Sequence, residues 1–250
     1  MTELLPVAFV TNACGYAGVP AVAALLEAGF RVFAHDVDFP DVNPWADHPL
    51  EQQRLQRIGG TSIEALDHAL SIAGRLNALV SNDHYPAVHV PTDTVPIDAL
   101  QKTLTALVVQ PFALIQKAIP ELKRQGGANL VMVTSCRTRL PMSGGAIPDL
   151  ARAASNALVR SLAVELAPSS IAVNAVAPNF LYSEAYYPRA RFIDDPAGRA
   201  FVEASVPAGR LGRPDEIGEV IAFLATTKAR FMTGAIIDFS GGWPASPARP

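Results

Sequence analysis

A serine hydroxyl and an arginine guanidinium in one segment of the chain are residue types that suit chemistry at a substrate oxygen. Ser135 follows a continuous apolar run, and Arg152 lies on the helix predicted over Asp149–Leu166. The hydroxyl can orient an oxygen atom, and the guanidinium can stabilise negative charge that develops there. A proton-exchanging group one helical turn before the cation would share its face of the helix. That position holds Pro148, which has no proton to exchange, so the segment predicts a site without a base at this position.

Two neighbouring side chains could replace the missing base or act as a nucleophile. Asp149 offers a carboxylate next to Pro148. The structural alternative is that proline at the first helical position and an acid beside it begin the helix well. Asp149 would then pair with Arg152, and that contact would lower the pKa of the carboxyl and weaken it as a base. Cys136 is a conceivable thiol nucleophile, with a buried structural cysteine as the alternative interpretation.

The elements that must position these residues alternate between apolar strands and helices. Continuous apolar runs, typical of parallel strands buried on both faces, occur at Asn129–Thr134 and Ile171–Val176, with a shorter one at Ala78–Ser81. This alternation predicts a single α/β domain over residues 1–250, a Rossmann-like, doubly wound parallel sheet in three layers (αβα). Ligands of such sheets bind at the carboxyl ends of the strands. The segments TNACGYAG, SNDHY, SCR and PNFLY, which follow strands, are therefore expected to meet at one edge.

Further predictions concern the connections between these elements. The helices at Ile97–Leu107 and Phe112–Lys123 are expected to be interrupted at Pro111. Residues 39–60 are expected to form a loop with a weak helix. Residues 178–214 are expected to form a loop region that encloses a substrate or anion pocket.

The whole chain resembles the short-chain dehydrogenase/reductase (SDR) superfamily, and within it the halohydrin dehalogenases. The first turn of the superfamily usually reads TGxxxGxG, whereas this chain reads TNACGYAG, with Asn12 and Tyr16 in place of two glycines. Dehydrogenases of the superfamily use Ser-x12-Tyr-x3-Lys, and the dehalogenases use Ser-x12-Tyr-x3-Arg. Ser135 and Arg152 keep the dehalogenase spacing, and Pro148 occupies the tyrosine position.

This resemblance implies a small-anion pocket in the space that other members give to NAD(P), and no cofactor. In the dehalogenases an aromatic residue of the first turn lines a halide pocket, and here that residue is Tyr16. The segment with Asn82 stands where dehydrogenases carry NNAG, and Asn179 replaces a glycine after Pro178, so that a side chain fills cofactor space. The expected substrate- and anion-binding residues are Tyr16, Asn82, Pro178, Asn179, Phe180, Leu181 and Tyr187.

Retained NAD(P) binding is the alternative. Asp36 at the end of the second strand supports it, because an acidic residue there binds the ribose hydroxyls of NAD. A solvated aspartate at a strand end explains the same residue equally well. If a dinucleotide binds, the expected ligands are Thr11, Gly15, Gly18, Asp36, Asn82 and Ser183.

Three functions remain open on these grounds. The first is a cofactor-independent carbon–halogen lyase that interconverts small haloalcohols and epoxides, with Ser135 and Arg152 as catalytic residues and Asp149 as a candidate base. The second is an NAD(P)-dependent short-chain oxidoreductase. The third is a non-catalytic or repurposed member that binds a small molecule or a halide-like anion in the same pocket.

The composition narrows the partners and the compartment. The chain has 250 residues and a formal net charge of −3, which gives no electrostatic footprint for nucleic acid. Its apolar runs are shorter than the roughly 18 residues of a membrane span. Two cysteines are too few for a disulfide framework, so a reducing cytoplasm is expected, and no histidine spacing predicts a metal site. The resemblance implies a homotetramer or a homodimer.

Overall fold

The computed structural model describes residues 5–39 and 43–246, which form a seven-stranded parallel sheet with helices on both faces. The strands are β1 (Val7–Val10), β2 (Arg31–His35), β3 (Leu55–Ile58), β4 (Ala78–Ser81), β5 (Ala128–Val133), β6 (Ile171–Pro178) and β7 (Ile236–Phe239). Their order across the sheet is β3-β2-β1-β4-β5-β6-β7, with the chain crossing over after β3. The predicted Rossmann-like, three-layer single domain is confirmed.

Eight α-helices in the described part of the chain cover the sheet, and strand residues point alternately to its two faces. The helices are α1 (Gly18–Glu27), α2 (Glu51–Arg54), α3 (Ser62–Ala73), α4 (Ile97–Leu104), α5 (Gln110–Arg124), α6 (Ala146–Leu166), α7 (Pro196–Ser205) and α8 (Pro214–Thr226). In β4, Leu79 packs with α3, α5 and α6, whereas Val80 packs with α1 and α8. No helix in the described residues has both the length and the apolar character needed to cross a bilayer.

The edge strand β3 lies where the sequence predicts a loop with a weak helix. The short α2 accounts for the weak helical pattern, and β3 follows it directly. Among the described strands β3 pairs with β2 alone, and its residues are at most half-buried. A half-exposed edge strand needs no continuous apolar sequence, so the segment LQRI carries little strand signal.

Pro111 does not interrupt the helical segment after β4, contrary to the prediction. A π-helical turn, Thr105–Val109, joins α4 to α5 without a break. Pro111 is then the second residue of α5, and the wider turn before it accommodates a ring that lacks an N–H donor. The turn also exposes the main-chain oxygen of Leu107, which accepts a hydrogen bond from Ser155 of α6 at 2.9 Å.

One helix extends beyond its predicted bounds, and another lies in a region predicted as loop. α6 begins at Ala146, ahead of the predicted Asp149, so Pro148 lies inside its first turn. Main-chain N–H groups of a first turn have no acceptor within the helix, and a proline there removes no hydrogen bond. α7 lies inside the 178–214 region predicted as loop, and Asp195 caps it by accepting the N–H of Ala197.

Candidate active site

The segments after β1 and β4 are tied together at the carboxyl edge of the sheet. Thr11 Oγ1 accepts a hydrogen bond from the N–H of Asn82 at 3.0 Å. The Asn82 side-chain amide donates to the main-chain oxygens of Asn12 at 2.8 Å and Gly15 at 2.9 Å. Asn82 is fully buried, so this amide group holds the β1–α1 turn in shape. Its predicted role in binding substrate or cofactor gains no support from this position.

Arg152 is a buried cation at the same edge, with 5% of its surface exposed. Its Nη1 donates to the main-chain oxygens of Asp83 at 2.9 Å and Val133 at 3.4 Å. These bonds place the guanidinium between the ends of β4 and β5. Within residues 5–39 and 43–246, no carboxylate lies at ion-pair distance from it. A buried charge without a counter-ion is unfavourable, so the arrangement favours an anion at this point.

Asp83 contributes a buried carboxyl group near this guanidinium. It is 7% exposed, and its Oδ2 accepts a hydrogen bond from Ser81 Oγ at 2.6 Å. Burial raises the pKa of Asp83 to about 7, while the Ser81 hydrogen bond and the charge of Arg152 act in the opposite direction. Asp83 therefore changes its charge near neutral pH. The segment SNDHY is placed correctly by the sequence, but no pattern within it marks Asp83 as a titrating group.

Ser135 lies just beyond β5 and is almost fully buried. Its hydroxyl donates to the main-chain oxygen of Pro178 at 3.1 Å and accepts a hydrogen bond from the N–H of Arg137 at 3.2 Å. The side-chain amide of Asn156 on α6 donates to the main-chain oxygen of Ser135 at 3.0 Å. Ser135 and Pro178, both predicted site residues, are thus in contact, and α6 is held against the Ser135 segment.

The predicted pairing of Asp149 with Arg152 is wrong. Asp149 Oδ1 accepts a hydrogen bond from Nε of Arg137, and both side chains of this ion pair are mostly buried. Because α6 begins early, Asp149 in the first turn faces the β5–α6 connection, whereas Arg152 turns toward the strand ends. The carboxylate is committed to another arginine, which leaves it poorly placed to act as the base. Pro148 is buried in the same turn.

Tyr16 and His84 fill the space over the first turn. Tyr16 has a φ of 50°, and its ring lies 5.1 Å from that of Tyr186 and 6.1 Å from that of His84. The His84 ring rests on Gly15, where a Cβ atom would stand 2.3 Å from its Cε1. Burial raises the pKa of Tyr16 far above its usual value, and the charge of Arg152 lowers it, so the phenol lies within the field of that guanidinium.

Asp36 stabilises the first turn, and both cysteines lie in surroundings that keep their thiols protonated. Asp36 Oδ2 accepts a hydrogen bond from the N–H of Cys14 at 2.8 Å, which closes the first turn. Burial, and then the charge of Asp36, raises the pKa of the Cys14 thiol to about 12. Burial likewise raises the pKa of Cys136 to about 12. Both thiols stay protonated near neutral pH, so this environment does not activate Cys136 as a nucleophile.

Three predicted pocket residues form one unit after β6. Asn179 Oδ1 accepts hydrogen bonds from the N–H of Phe180 at 3.0 Å and from the hydroxyl of Tyr187 at 3.1 Å. The rings of Phe180 and Tyr187 stack 5.2 Å apart. Burial raises the pKa of Tyr187 to about 12, so its hydroxyl remains a donor. The carbonyl of Asn179 is occupied, and among the described residues its amide N–H groups have no acceptor.

Other predicted residues support the loops. Leu181 is buried in the core on the α1 and α8 side of the sheet. Ser183 Oγ accepts the N–H of Tyr186 at 3.3 Å. A Cβ atom at Gly18 would stand 2.5 Å from the main-chain oxygen of Ala13, so glycine lets α1 begin tightly against the turn. Their roles toward a substrate or a dinucleotide stay predictions.

Comparisons with known proteins place the chain in a family. The profile of a family described as enoyl-(acyl carrier protein) reductase matches residues 60–244. The chain belongs to the short-chain dehydrogenase/reductase superfamily. This SDR chain is 30% identical over 247 residues to an uncharacterized oxidoreductase of Bacillus subtilis, and the match covers 94% of this chain and 98% of that one.

Two solved structures are similar over nearly the whole chain. One is described as a dehalogenation enzyme, with 34% identity, a TM-score of 0.86 and coverage of 95% of this chain and 98% of that one. The other is a halohydrin dehalogenase bound to ethyl (2S)-oxiran-2-ylacetate, with 29% identity, a TM-score of 0.90 and coverage of 98% and 99%. The SDR relatives thus include both oxidoreductases and dehalogenases, and membership alone does not choose between these reactions.

Proposed function

We propose that this SDR protein is a cofactor-independent enzyme of the halohydrin dehalogenase type, acting on small haloalcohols and epoxides. The observation that carries the proposal is the guanidinium of Arg152, buried at the strand edge with no ion-pair partner among the described residues. A preorganised positive charge of this kind stabilises an oxygen that becomes negative when a carbon–halogen or carbon–oxygen bond changes. The similarity to dehalogenase structures over the whole chain supports the same choice.

The first turn fits a dinucleotide poorly. His84 rests on Gly15, where a pyrophosphate would need open backbone. The side-chain amide of Asn12, at a glycine position, donates to the main-chain oxygen of Asn82 at 3.0 Å. Tyr16 adds a ring beside His84. The chain's own side chains therefore use the groups and the space that NAD(P) would need, and the proposed reaction requires no hydride.

Ser135 and Arg152 would act together on the substrate oxygen. The Ser135 hydroxyl now donates to the oxygen of Pro178, and rotation of its O–H would direct it to a substrate oxygen. Arg152 uses only Nη1 on the main chain within the described residues, so further N–H donors are left for the substrate or an anion. The amide N–H groups of Asn179, beside the ring of Tyr187, are suited to receive a halide.

Halide release and epoxide opening test the proposal. The purified protein, without NAD(P), is incubated with vicinal chloro- and bromoalcohols, and with terminal epoxides plus azide. We expect halide release and azidoalcohol formation above the buffer control. Both should be lost in Arg152→Gln and kept in Arg160→Gln, which changes an exposed arginine of the same helix. No turnover and no bromide binding across the panel would refute the proposal.

A second candidate is an NAD(P)-dependent short-chain oxidoreductase. Asp36 favours it, because the residue follows β2 and only its Oδ2 is engaged with the first turn. The naming of a relative as an oxidoreductase favours it as well. Titration with NADH and NADPH, followed by cofactor fluorescence, separates the two candidates. Saturable binding would support the oxidoreductase, and no binding at millimolar cofactor would exclude it.

A further inference from the structure

We propose that the Tyr16 hydroxyl donates the proton to the substrate oxygen, and so performs from the β1–α1 turn the step that a phenol at position 148 would perform. The proposal rests on the proposed epoxide chemistry and names the residue that this chain uses for it. Pro148 has no proton to exchange, and Asp149 beside it is paired with Arg137. The first turn of α6 therefore leaves the step to another element.

The ring of Tyr16 is held in place from two sides. It meets Tyr186 edge to face at 5.1 Å and His84 at 6.1 Å. Tyr186 is itself anchored, because its hydroxyl donates to the main-chain oxygen of Tyr85 at 2.7 Å and accepts the N–H of the same residue at 3.1 Å. The φ of 50° at Tyr16 lies in the left-handed region, which is rare for an aromatic residue. Such strain persists where the surroundings enforce it, and it concentrates at functional sites.

The hydroxyl of Tyr16 is available to a ligand. It makes no hydrogen bond within the described residues, unlike the hydroxyls of Tyr186 and Tyr187. Tyr16 as a whole is half-buried and not fully enclosed, so part of the residue borders accessible space. Arg152 bonds to the main-chain oxygen of Asp83, and the next residue, His84, lies with its ring 6.1 Å from that of Tyr16, so the phenol and the guanidinium belong to the same edge of the sheet. A phenol in this position can donate to an oxygen as it becomes negative.

The phenol serves as a donor and not as a base near neutral pH. Burial raises the pKa of Tyr16 far above its usual value, and Arg152 lowers it by less. In ring opening, a lone pair of azide or halide forms a bond to an epoxide carbon. The carbon–oxygen bond breaks, its electron pair stays on oxygen, and this oxygen takes the Tyr16 proton.

The phenolate that results lies within the field of Arg152 until it regains a proton from solvent. Ring closure of a haloalcohol is the reverse process and needs this phenolate as the base. We therefore expect the rate of closure to rise with pH, as the small phenolate fraction grows. Ring opening uses the protonated form, which predominates near neutral pH.

A single-atom variant tests the proposal. Tyr16→Phe keeps the ring and removes the hydroxyl, and Tyr182→Phe is the matched control, since the Tyr182 hydroxyl bonds to Glu184 at the surface. We measure kcat/KM for azide opening of 1,2-epoxybutane, bromide affinity by quenching of intrinsic fluorescence, and the midpoint of thermal unfolding. Tyr16→Phe should lower kcat/KM by about 100-fold, the scale of a lost general acid. Its bromide affinity should change by less than about threefold, because the removed hydroxyl acts on the reacting oxygen in the transition state and not on the bound anion. Tyr182→Phe should match the unmodified protein.

The outcomes separate this proposal from the proposed function. Unchanged kcat/KM in Tyr16→Phe overturns the role of Tyr16 and leaves the proposed function standing. If Tyr16→Phe loses activity, bromide binding and thermal stability together, Tyr16 has a structural role, and its proposed role as proton donor is overturned. A rate of ring closure that does not rise with pH in the unmodified protein overturns it too. No turnover and no bromide binding in the unmodified protein overturns both proposals.

Discussion

Arg152 donates a hydrogen bond to the main-chain oxygen of Asp83 and not to its carboxylate. The Asp83 carboxyl is instead buried against the hydroxyl of Ser81. Neither charged group neutralises the other by direct contact, so the net charge at this edge depends on whether Asp83 is ionised. The candidate anion site is therefore expected to respond to pH.

Bromide affinity should fall as the pH rises through about 7. Below the pKa of Asp83, which burial raises to about 7, the carboxyl is neutral and the charge of Arg152 is unbalanced. Above it, the carboxylate offsets the guanidinium and repels an anion. Fluorescence quenching by bromide at a series of pH values measures this change. The decline should be absent from Asp83→Asn, and a flat profile in the unmodified protein would contradict it.

The free energy of unfolding should also depend on pH through the ionisation of Asp83. The pKa of Asp83 rises from 3.8 to about 7 on folding, so the folded state binds this proton more tightly. The stability contributed by the bound proton is complete below the unfolded pKa and is lost as the pH rises through the folded pKa. Chemical denaturation is measured below pH 3.8 and above pH 7, the two pKa values of Asp83. As the pH rises between them, the unmodified protein should lose free energy of unfolding relative to Asp83→Asn. A constant difference between the two proteins would count against a buried titrating carboxyl.

Removal of the Arg152 charge should weaken anion binding strongly. In Arg152→Gln the buried positive charge is gone, so we expect bromide affinity to fall by more than about tenfold, in the range of a lost charge-assisted contact. Arg160→Gln removes an exposed charge from the same helix and should change affinity little. Comparison of the two quenching titrations checks the prediction. Equal affinities in the two variants would mean that the anion binds elsewhere.

Gly15→Ala should destabilise the protein because of His84. The added Cβ would stand 2.3 Å from Cε1 and 2.6 Å from Nε2 of the ring. Such overpacking costs about 1–3 kcal/mol of unfolding free energy. In a His84→Ala background the same substitution should cost less, since the ring that it meets is absent. Denaturation of the four proteins of this cycle measures the coupling, and equal costs in both backgrounds would exclude the contact.

A homotetramer or homodimer is the assembly we propose, with α5 and α6 as one interface. Both helices expose large apolar side chains, a pattern typical of interaction surfaces. They are Phe112 on α5, and Leu150 and Val164 on α6. Light scattering should give a multiple of the 26.5 kDa chain mass. Val164→Glu should lower that mass, whereas Val37→Glu, at an exposed position after β2, should not. A monomeric unmodified protein would contradict the assembly.

The layers of the fold could be predicted because the apolar pattern of each strand indicates by itself how far that strand is buried. The continuous apolar runs of β5 and β6 mark strands covered on both faces, and parallel strands place their following segments at one edge. On this basis Tyr16, Ser135 and Arg152 could be assigned to a common edge. β3 and α7 escaped prediction, since a half-exposed edge strand and a short surface helix need little apolar pattern.

The pairing of charges and hydrogen bonds came from packing between distant segments. Asp149 contacts Arg137 because α6 begins earlier than its pattern indicates, and Arg152 bonds to Asp83, far from it in the sequence. Local spacing records which face of an element a residue occupies, but not which side chain from another loop reaches it. The residue types therefore determine a cation and an orienting hydroxyl at the sheet edge. Within the described chain, the tertiary contacts leave that cation without an ion-pair partner and leave the Tyr16 hydroxyl without a hydrogen bond.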